Sequence, residues 1–181
     1  LWSFSIPIVI VHGGGQGLDR LCKTLGLATE KINGRRLTPP AVLEAAKMAF
    51  KGQLQMDLLS DLESAGLPAV GLSGLDAGLI RATRRPPLEI EGRLVDFGMV
   101  GDVPLVEPGL VRHLIDGGYV PVVAPFSVTE TGQILNTNAD TVAASLACAL
   151  HAQKLFFVVS VAGLLRDLTD ATTLIPHADL A

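Results

Sequence analysis

The fold is decided by the stretch Ile6-Pro-Ile-Val-Ile-Val-His-Gly-Gly-Gly-Gln16, in which an apolar, mostly β-branched run leads into three glycines. The run predicts a buried strand over 6–11, which Pro7 helps to start. Apolar residues then recur at helical spacing, so we expect a helix to begin near Gln16 or Gly17. A strand that enters a helix through a bare glycine turn directs several N–H groups at one point, which favours a phosphate or a carboxylate. Such turns also serve close packing alone, and that alternative stays open.

The composition limits the class of protein. The chain has 181 residues, enough for one α/β domain with a sizeable core, and 49% of them are apolar. A formal charge of −4 and the lack of a basic run argue against nucleic acid as a partner. The longest apolar stretches are too short to span a bilayer, so no membrane partner is expected. Cys22 and Cys148 fall in apolar helical settings, which predicts core thiols and a reducing cytoplasm.

Helical and extended patterns alternate along the rest of the chain, which predicts a mainly parallel sheet covered on both faces. The predicted fold class is therefore α/β, a three-layer αβα sandwich. Helices are predicted over 39–62, over 108–116 and, after a cap at 136–138, over 139–150. Strands are predicted over 69–72, 119–124 and 154–161, with a hairpin at Asn33-Gly34 and an antiparallel excursion over 79–106.

Three familiar glycine motifs do not fit the spacing. A Walker A loop needs a Gly-Lys-Ser/Thr ending that this chain lacks. A dinucleotide fingerprint needs its third glycine where Leu18 stands. The glycines after His12 are similar to the oxyanion loop of lipases, which makes a hydrolase the rival hypothesis. A nucleophile elbow around Ser73 would lack its final glycine, so Ser73 is predicted to be a turn residue.

Seven segments, in order and at family-like spacing, resemble N-acetylglutamate kinases of the amino acid kinase superfamily. They are Val9-Ile-Val-His-Gly-Gly-Gly15, Asn33-Gly-Arg-Arg-Leu-Thr38, Ala69-Val-Gly-Leu-Ser-Gly74, Gly98-Met-Val-Gly101, Gly118-Tyr-Val-Pro-Val-Val123, Gly132-Gln-Ile-Leu-Asn-Thr-Asn-Ala-Asp-Thr141 and Val161-Ala-Gly-Leu-Leu165. The resemblance implies an amino acid kinase fold and phosphorylation of the side-chain carboxylate of N-acetyl-L-glutamate by MgATP in arginine biosynthesis. Two alternatives stay open: a kinase of a related acid such as carrier-linked α-aminoadipate, and a catalytically inactive regulatory relative.

The resemblance also implies the acceptor-binding residues. Gly14 and Gly15 match glycines that contact the phosphoryl-accepting carboxylate, a task that suits backbone N–H groups because a side chain would hold the two anions apart. Arg36 matches the arginine that clamps the α-carboxylate, which suits a bidentate guanidinium. A solvated hairpin charge is the alternative for Arg36, and only the resemblance selects it over Arg35. Asn136 matches a further residue that binds the acceptor.

Asp140 matches the carboxylate that organises the catalytic lysines around the phosphates, which makes it the catalytic candidate. The alternative is that Asn136, Asn138 and Asp140 only cap a helix, where Asn and Asp are common. No ligand spacing suggests a metal held by the protein, so Mg²⁺ is expected to arrive with ATP. The nucleotide-binding positions that the resemblance implies are Gly13, Val161, Gly163 and Leu165.

A division of the chain follows from the same resemblance. Residues 1–152 would form the acceptor-binding lobe of an amino acid kinase domain, and residues 153–181 would begin its nucleotide-binding lobe. The family's first strand, with a lysine and two glycines, would lie before Leu1, and a second catalytic lysine beyond Ala181. A homodimer or a higher homo-oligomer in the cytoplasm is expected.

Overall fold

Strands and helices alternate through most of the chain. The structure, a computed structural model, describes residues 6–159, 163–167 and 170–177. The strands are β1 (Ile10–Val11), β2 (Lys31–Ile32), β3 (Arg35–Arg36), β4 (Ala69–Ser73), β5 (Ile80–Arg84), β6 (Leu88–Ile90), β7 (Arg93–Val95), β8 (Gly101–Val106), β9 (Val120–Ala124), β10 (Phe126–Val128) and β11 (Ile134–Asn136). The helices are α1 (Gly15–Thr24), α2 (Pro40–Lys47), α3 (Gln55–Ser64), α4 (Gly109–Asp116) and α5 (Ala139–Leu150). A π-helical segment, Met48–Leu54, joins α2 to α3, and short 3-10 turns lie at Asp76–Gly78 and Ala171–Thr173.

The centre of the fold is β9, whose residues are all buried. It pairs in parallel with β1 on one side and with β4 on the other. Continuous burial along a valine-rich strand is typical of a parallel sheet that helices cover on both faces. The strands predicted over 69–72 and 119–124 are confirmed, with a shift of one residue at one end of each.

β1 is shorter than predicted, because it begins at Ile10 and not at Ile6. The cause lies in β9. The backbone N–H of His12 donates to the carbonyl oxygen of Val123, so Val123 faces β1, and Pro121 two residues earlier faces it too. Proline has no N–H to donate to a ladder. The pairing of the two strands therefore cannot continue towards Ile6 with regular hydrogen bonds.

A second sheet follows β9 after a bend at Pro125, with the strand order β11-β10-β5-β8. β10 runs parallel to β5 and antiparallel to β11, to which a turn over 129–133 connects it. β5 and β8 are antiparallel, and the hairpin of β6 and β7 lies between them in the chain. The antiparallel excursion predicted over 79–106 is thereby confirmed.

Two apolar clusters fill the space on either side of the parallel sheet. One contains residues of α1 and α2 together with Ala124, and the other contains residues of α4 and α5 together with Val123. Neighbouring residues of a strand point to opposite faces. Ala124 and Val123 therefore place these two pairs of helices on opposite sides of β9. The predicted three-layer α/β architecture is confirmed.

The helix predicted over 39–62 is present, but its winding changes in the middle. α2 ends at Lys47, seven residues follow in π-helical form, and α3 continues from Gln55. Gln55 is almost fully buried, and its Nε2 donates to the carbonyl oxygens of Leu72 at 2.8 Å and Val122 at 2.9 Å. This buried amide fastens the helix to the parallel sheet at the point where the π-helical segment ends.

The strand predicted over 154–161 is wrong over 154–159, where the chain forms no strand and every residue is exposed. Residues 160 and 161 lie outside the described part of the chain. The run has the aromatic and β-branched composition of a strand, yet Val158 is 98% exposed. A strand needs a hydrogen-bonding neighbour, and among the residues described none of β1 to β11 pairs with this run.

The two cysteines differ in burial. Cys22 is buried as predicted, whereas Cys148 is exposed, contrary to the prediction. The buried residues of α5 are Val142 and Leu146, which stand one turn apart. Cys148 follows Leu146 by two residues, about 200° around the helix, and so lies on the opposite face.

Gly74 links β4 to the second sheet, and the structure leaves no room for a side chain there. A Cβ at this position would overlap the carbonyl oxygen of Phe126 and lie 2.6 Å from the Cβ of Ile80. Gly74→Ala should therefore lower the free energy of unfolding of the full-length gene product by about 1–3 kcal/mol, the usual effect of overpacking. Gly109→Ala is the matched control, because a Cβ there would meet nothing within 4 Å. Equal losses of melting temperature in the two variants would contradict this packing.

Candidate functional site

Residues 13–15, called the glycine loop below, connect β1 to α1. Gly14 precedes the first turn of α1, which begins at Gly15, one residue before the predicted start. A Cβ on Gly14 would lie 2.5 Å from Cδ1 of Phe50 and 3.1 Å from Cδ2 of Leu54, so the loop backbone packs directly on the π-helical segment. A cavity of about 330 Å³ borders the loop and the start of α1. The unpaired N–H groups of a helix start that borders such a cavity can bind an anion.

On its other side the glycine loop meets the start of α5. A Cβ on Gly13 would lie 3.7 Å from the Cβ of Ala139, the first residue of that helix. The N-termini of α1 and α5 therefore approach each other at the loop. Each helix N-terminus carries roughly half a positive charge, so this position favours a negatively charged group.

Asn138, and not Asp140, caps α5. The Oδ1 atom of Asn138 accepts the backbone N–H of Thr141 at 3.0 Å. Asp140 follows in the first turn, where its side chain is exposed and makes no hydrogen bond within the described ranges. The capping alternative is therefore wrong for Asp140. Its carboxylate is exposed beside the start of α5.

The hairpin of β2 and β3 forms as predicted. Both residues of its turn have positive φ, 49° for Asn33 and 76° for Gly34, as two-residue Asn-Gly turns require. Lys31 pairs with Arg36, so these two side chains share a face and Arg35 points to the opposite face. The side chain of Arg36 is only 8% exposed, whereas Arg35 is exposed. A solvated hairpin charge thus describes Arg35 and not Arg36.

The guanidinium of Arg36 reaches the glycine loop. Its Nη2 donates to the carbonyl oxygen of Gly15 at 3.2 Å, and its Nη1 donates to Oδ1 of Asp19 at 2.5 Å. The other oxygen of Asp19 accepts from Nζ of Lys31 at 2.9 Å. The hydrogen bond from Arg36, aided by Lys31, lowers the pKa of Asp19 to about 2. Asp19 is therefore ionised at neutral pH and forms a charged pair with Arg36.

Asn136 lies at the end of β11 and is joined to the hairpin strand through Thr38. Its Nδ2 donates to Oγ1 of Thr38 at 3.2 Å, and its backbone N–H donates to the carbonyl oxygen of Met99 at 2.9 Å. Thr38 itself is fully buried, two residues after Arg36. Asn136 therefore does not cap α5, and it connects β11 to the segment that follows β3.

The predicted nucleotide positions outside the glycine loop lie in a separate segment. Leu165 forms an antiparallel bridge with Leu174, and Gly163 has a φ of 139°. The backbone hydrogen bonds of this segment, from Arg166 to Thr173 and from Ile175 to Leu164, are local. No hydrogen bond in the described part joins it to the glycine loop. Val161 lies outside the described residues.

A polar group that the sequence predictions missed lies beside β4. The Nζ atom of Lys51 donates to the carbonyl oxygen of Gly71 at 3.1 Å and lies 4.0 Å from Oδ2 of Asp76. That same oxygen accepts the backbone N–H and the hydroxyl of Ser73. Burial lowers the pKa of Lys51, while Asp76 opposes this effect. The prediction that Ser73 is a turn residue is wrong, because Ser73 still pairs with Ala124 as the last residue of β4 and only its side chain bonds the turn that follows. The signal for Lys51 was a charge within an apolar helical run.

His12 is buried directly before the glycine loop. Its Nδ1–H donates to the carbonyl oxygen of Gly13 at 3.0 Å, and its Nε2 has no hydrogen-bond partner in the described part of the chain. Burial lowers the pKa of His12, so the imidazole is mainly neutral at pH 7. A neutral ring adds no charge to the loop.

The described residues contain neither a cluster of metal-binding side chains nor a helix that could span a membrane. In these ranges no cluster of three or more His, Cys, Asp or Glu side chains could hold a metal ion. Within the same ranges no helix combines the length and the apolar character that crossing a membrane demands.

The sequence model of the amino acid kinase family matches residues 1–181, the whole chain. The chain belongs to this family. The resemblance seen in the seven motif segments is thereby confirmed, and so is the assignment of the three-layer fold to the amino acid kinase type.

Three curated relatives carry the name acetylglutamate kinase. The protein from Myxococcus xanthus strain DK1622 is 55% identical over 186 residues, which cover 99% of this chain and 60% of that protein. The protein from Heliobacterium modesticaldum is 44% identical, over 92% of this chain and 58% of its own length. The protein from Methanopyrus kandleri is 41% identical, over 92% of this chain and 68% of its own length. This member of the amino acid kinase family thus spans about 60% of the length of the curated relatives it matches.

Solved structures of similar fold include two at 27% sequence identity. The protein smu.665 from Streptococcus mutans UA159 superposes with a TM-score of 0.79, over 90% of this chain and 64% of that chain. N-acetylglutamate synthase from Neisseria gonorrhoeae, complexed with coenzyme A and N-acetyl-glutamate, superposes with a TM-score of 0.72 over 89% of this chain and 36% of its own. Both structures support the amino acid kinase fold of this chain.

The close contact of the glycine loop with Phe50 predicts how two neighbouring glycines differ. Gly14→Ala would place a Cβ 2.5 Å and 2.7 Å from two ring carbons of Phe50, and it should lower the free energy of unfolding by about 1–3 kcal/mol. Gly13→Ala is the matched control, because its Cβ would make only an ordinary contact at 3.7 Å. Thermal melting of both full-length variants checks this. A larger loss in Gly13→Ala than in Gly14→Ala would contradict the contact.

Proposed function

We propose that the full-length gene product phosphorylates the side-chain carboxylate of N-acetyl-L-glutamate with MgATP, giving N-acetyl-L-glutamyl 5-phosphate in arginine biosynthesis. One observation carries this proposal: the guanidinium of Arg36 lies against the glycine loop in a chain 55% identical to an acetylglutamate kinase. The names of the relatives favour this substrate over carrier-linked α-aminoadipate and over an inactive regulatory role. A homo-oligomer in the cytoplasm forms part of the same proposal.

The acceptor would bind between the glycine loop and the hairpin strand β3. Arg36 would bind the α-carboxylate, since a guanidinium can donate two parallel hydrogen bonds to a carboxylate. The backbone N–H groups of Gly14 and Gly15 would contact the reacting carboxylate. Asn136, joined to β3 through Thr38, would supply amide hydrogen bonds to the same acceptor. These groups orient the substrate, and orientation is the main task of a protein in phosphoryl transfer.

ATP, the second substrate, requires a binding site for its phosphates, and the glycine loop would provide one. ATP would supply the transferred phosphoryl group, and its bound Mg²⁺ would neutralise part of the charge. Gly13 has no side chain at the point where the starts of α1 and α5 meet, so backbone N–H groups can approach a phosphate there. Asp140 would hold cationic side chains in place next to that position.

The division of the chain into lobes belongs to the proposal as well. Residues 1–152 would form the acceptor-binding lobe, which holds the glycine loop, Arg36 and Asn136. Residues 153–181 would begin the nucleotide-binding lobe, with Val161, Gly163 and Leu165 contributing to the nucleotide site.

A coupled assay of ADP release tests the function directly. The purified full-length gene product is given MgATP with N-acetyl-L-glutamate, with L-glutamate or with carrier-linked α-aminoadipate. We expect turnover with the first acceptor and little with the other two. Preference for the α-aminoadipate compound would replace the proposed substrate. Absence of turnover with all three would favour a regulatory relative.

The clamp role of Arg36 predicts a selective defect. Arg36→Ala removes a charge-assisted contact worth about 1.5–3 kcal/mol, so the Michaelis constant for N-acetyl-L-glutamate should rise roughly 10- to 200-fold. The Michaelis constant for ATP should stay nearly constant. Arg35→Ala is the matched control, because Arg35 is exposed on the opposite face of the same strand. If Arg35→Ala raised the Michaelis constant for N-acetyl-L-glutamate and Arg36→Ala did not, the assignment of the clamp to Arg36 would be wrong.

The proposed role of Asp140 predicts a defect in rate. Asp140→Asn keeps the shape of an exposed side chain that caps nothing, so stability and acceptor binding should change little. If the carboxylate positions cationic groups near the phosphates, its loss should lower kcat by about a hundredfold or more. Asp116→Asn, another exposed helix aspartate, is the control and should be silent. Wild-type kcat in Asp140→Asn would remove Asp140 from the mechanism.

A further inference from the structure

We propose that Asp19 is the positioning residue that sets Arg36 for the acceptor, an inference that rests on the proposed function. Asp19 lies in α1 and Arg36 lies in β3. The hydrogen bond of 2.5 Å between these two residues, which are 17 positions apart in the chain, joins the two elements. Asp19 would not touch the substrate. It would act through the orientation of the guanidinium.

The burial of Arg36 shows why the guanidinium needs such a partner. Its side chain is only 8% exposed, and a charge that is removed from water is stable only when it is paired and hydrogen-bonded. Asp19 supplies the negative charge, and the carbonyl oxygen of Gly15 supplies a second acceptor at 3.2 Å. Both partners belong to α1, so the arginine is fixed to the same helix whose start borders the glycine loop.

Arg36 keeps enough N–H donors to bind a carboxylate after its bonds to Asp19 and Gly15 are counted. A guanidinium has five N–H bonds, and Asp19 and Gly15 each take one of them within the described residues. Three N–H bonds therefore remain for a ligand, and two of them suffice for a carboxylate. Asp19 thus orients the group without occupying all of its donors.

Lys31 extends the same connection to the other strand of the hairpin. Its Nζ donates to the second oxygen of Asp19 at 2.9 Å, so one carboxylate holds both β2 and β3. The two pairs differ in exposure, because the side chain of Lys31 is 47% exposed. Exposed ion pairs contribute little to stability. We therefore expect Arg36, and not Lys31, to carry the effect of Asp19 on the acceptor.

Removal of Asp19 would have two opposing effects on an anionic acceptor. It would take away a negative charge and so raise the local potential, and it would remove one of the two groups that fix the orientation of the guanidinium. The lost orientation must be restored by each acceptor that binds Arg36, and the attraction gained does not restore the geometry that two parallel hydrogen bonds need. We therefore expect weaker binding of the acceptor, and not tighter binding.

The test uses Asp19→Asn in the full-length gene product. We expect the Michaelis constant for N-acetyl-L-glutamate to rise about tenfold, while kcat and the Michaelis constant for ATP stay within about twofold. Glu44→Gln is the matched control, since Glu44 also pairs with a cation, Lys47 at 2.6 Å, but in a helix outside the site. Asp19→Glu should recover most of the affinity, because it restores the charge. Lys31→Met should stay within about threefold of wild type.

A double-mutant cycle separates positioning from a general effect on the fold. In an Arg36→Ala background, Asp19→Asn should add less than about twofold to the acceptor Michaelis constant, because the residue through which it acts is gone. A further tenfold loss in that background would overturn the proposal. So would an unchanged or a lower Michaelis constant in Asp19→Asn alone.

Hydrogen exchange without ligand keeps this inference distinct from the proposed function. Asp19→Asn should speed exchange of the backbone amides over 31–37, and Glu44→Gln should not. If the wild-type protein turned over no N-acetyl-L-glutamate but the hairpin amides responded in this way, the proposed function would fail and the link between Asp19 and Arg36 would stand. If the wild type turned over N-acetyl-L-glutamate but Asp19→Asn changed neither the acceptor Michaelis constant nor the exchange of the amides over 31–37, the inference would fail and the proposed function would stand.

Discussion

The site depends on the contact between the backbone of Gly14 and the ring of Phe50. A Cβ at Gly14 would fall 2.5 Å from that ring, so any other residue would push the loop or the ring away. Phe50 cannot easily yield, because it is 5% exposed and packs on Phe126 with their ring centroids 5.8 Å apart. Phe126 belongs to the second sheet. The position of the proposed anion site is therefore fixed by core packing, through one aromatic ring.

The positive potential of this site must be local. The whole chain carries a formal charge of −4, and salt screens exposed charges over about 8–10 Å, so overall charge cannot attract an anionic acceptor and a nucleotide. Local sources are present instead. Two helix N-termini meet at Gly13, and Arg36 is largely withdrawn from solvent, where its field is less screened. The carboxylate of Asp19 in α1 neutralises the charge of Arg36. This pairing lowers the free-energy cost of burying Arg36.

The predictable parts of the structure are those that local sequence determines. Asn33-Gly34 requires a two-residue turn, the turn sets the register, and the register places Arg36 and Arg35 on opposite faces. The two strand predictions that were wrong in extent, over 6–11 and 154–161, failed because of contacts distant in the sequence. β1 is shorter than predicted because Pro121 of the neighbouring strand β9 has no N–H to pair with it. The apolar run over 154–159 forms no strand because no strand lies beside it in the described part of the chain. The π-helical segment escaped prediction because the apolar residues around it still recur at nearly helical spacing.

The glycine loop lies where the two apolar clusters of the fold come together. Gly14 contacts Phe50, a member of the cluster that contains Ala124, whereas Gly13 contacts the start of α5, whose buried face belongs to the cluster that contains Val123. Adjacent residues of β9 therefore support opposite walls of the site. In the proposed reaction the wall formed by α1 and the hairpin would hold the acceptor, and the wall formed by α5 would hold the phosphates. A transferred group would then pass over the glycine loop, where the contact with Phe50 excludes a side chain at Gly14.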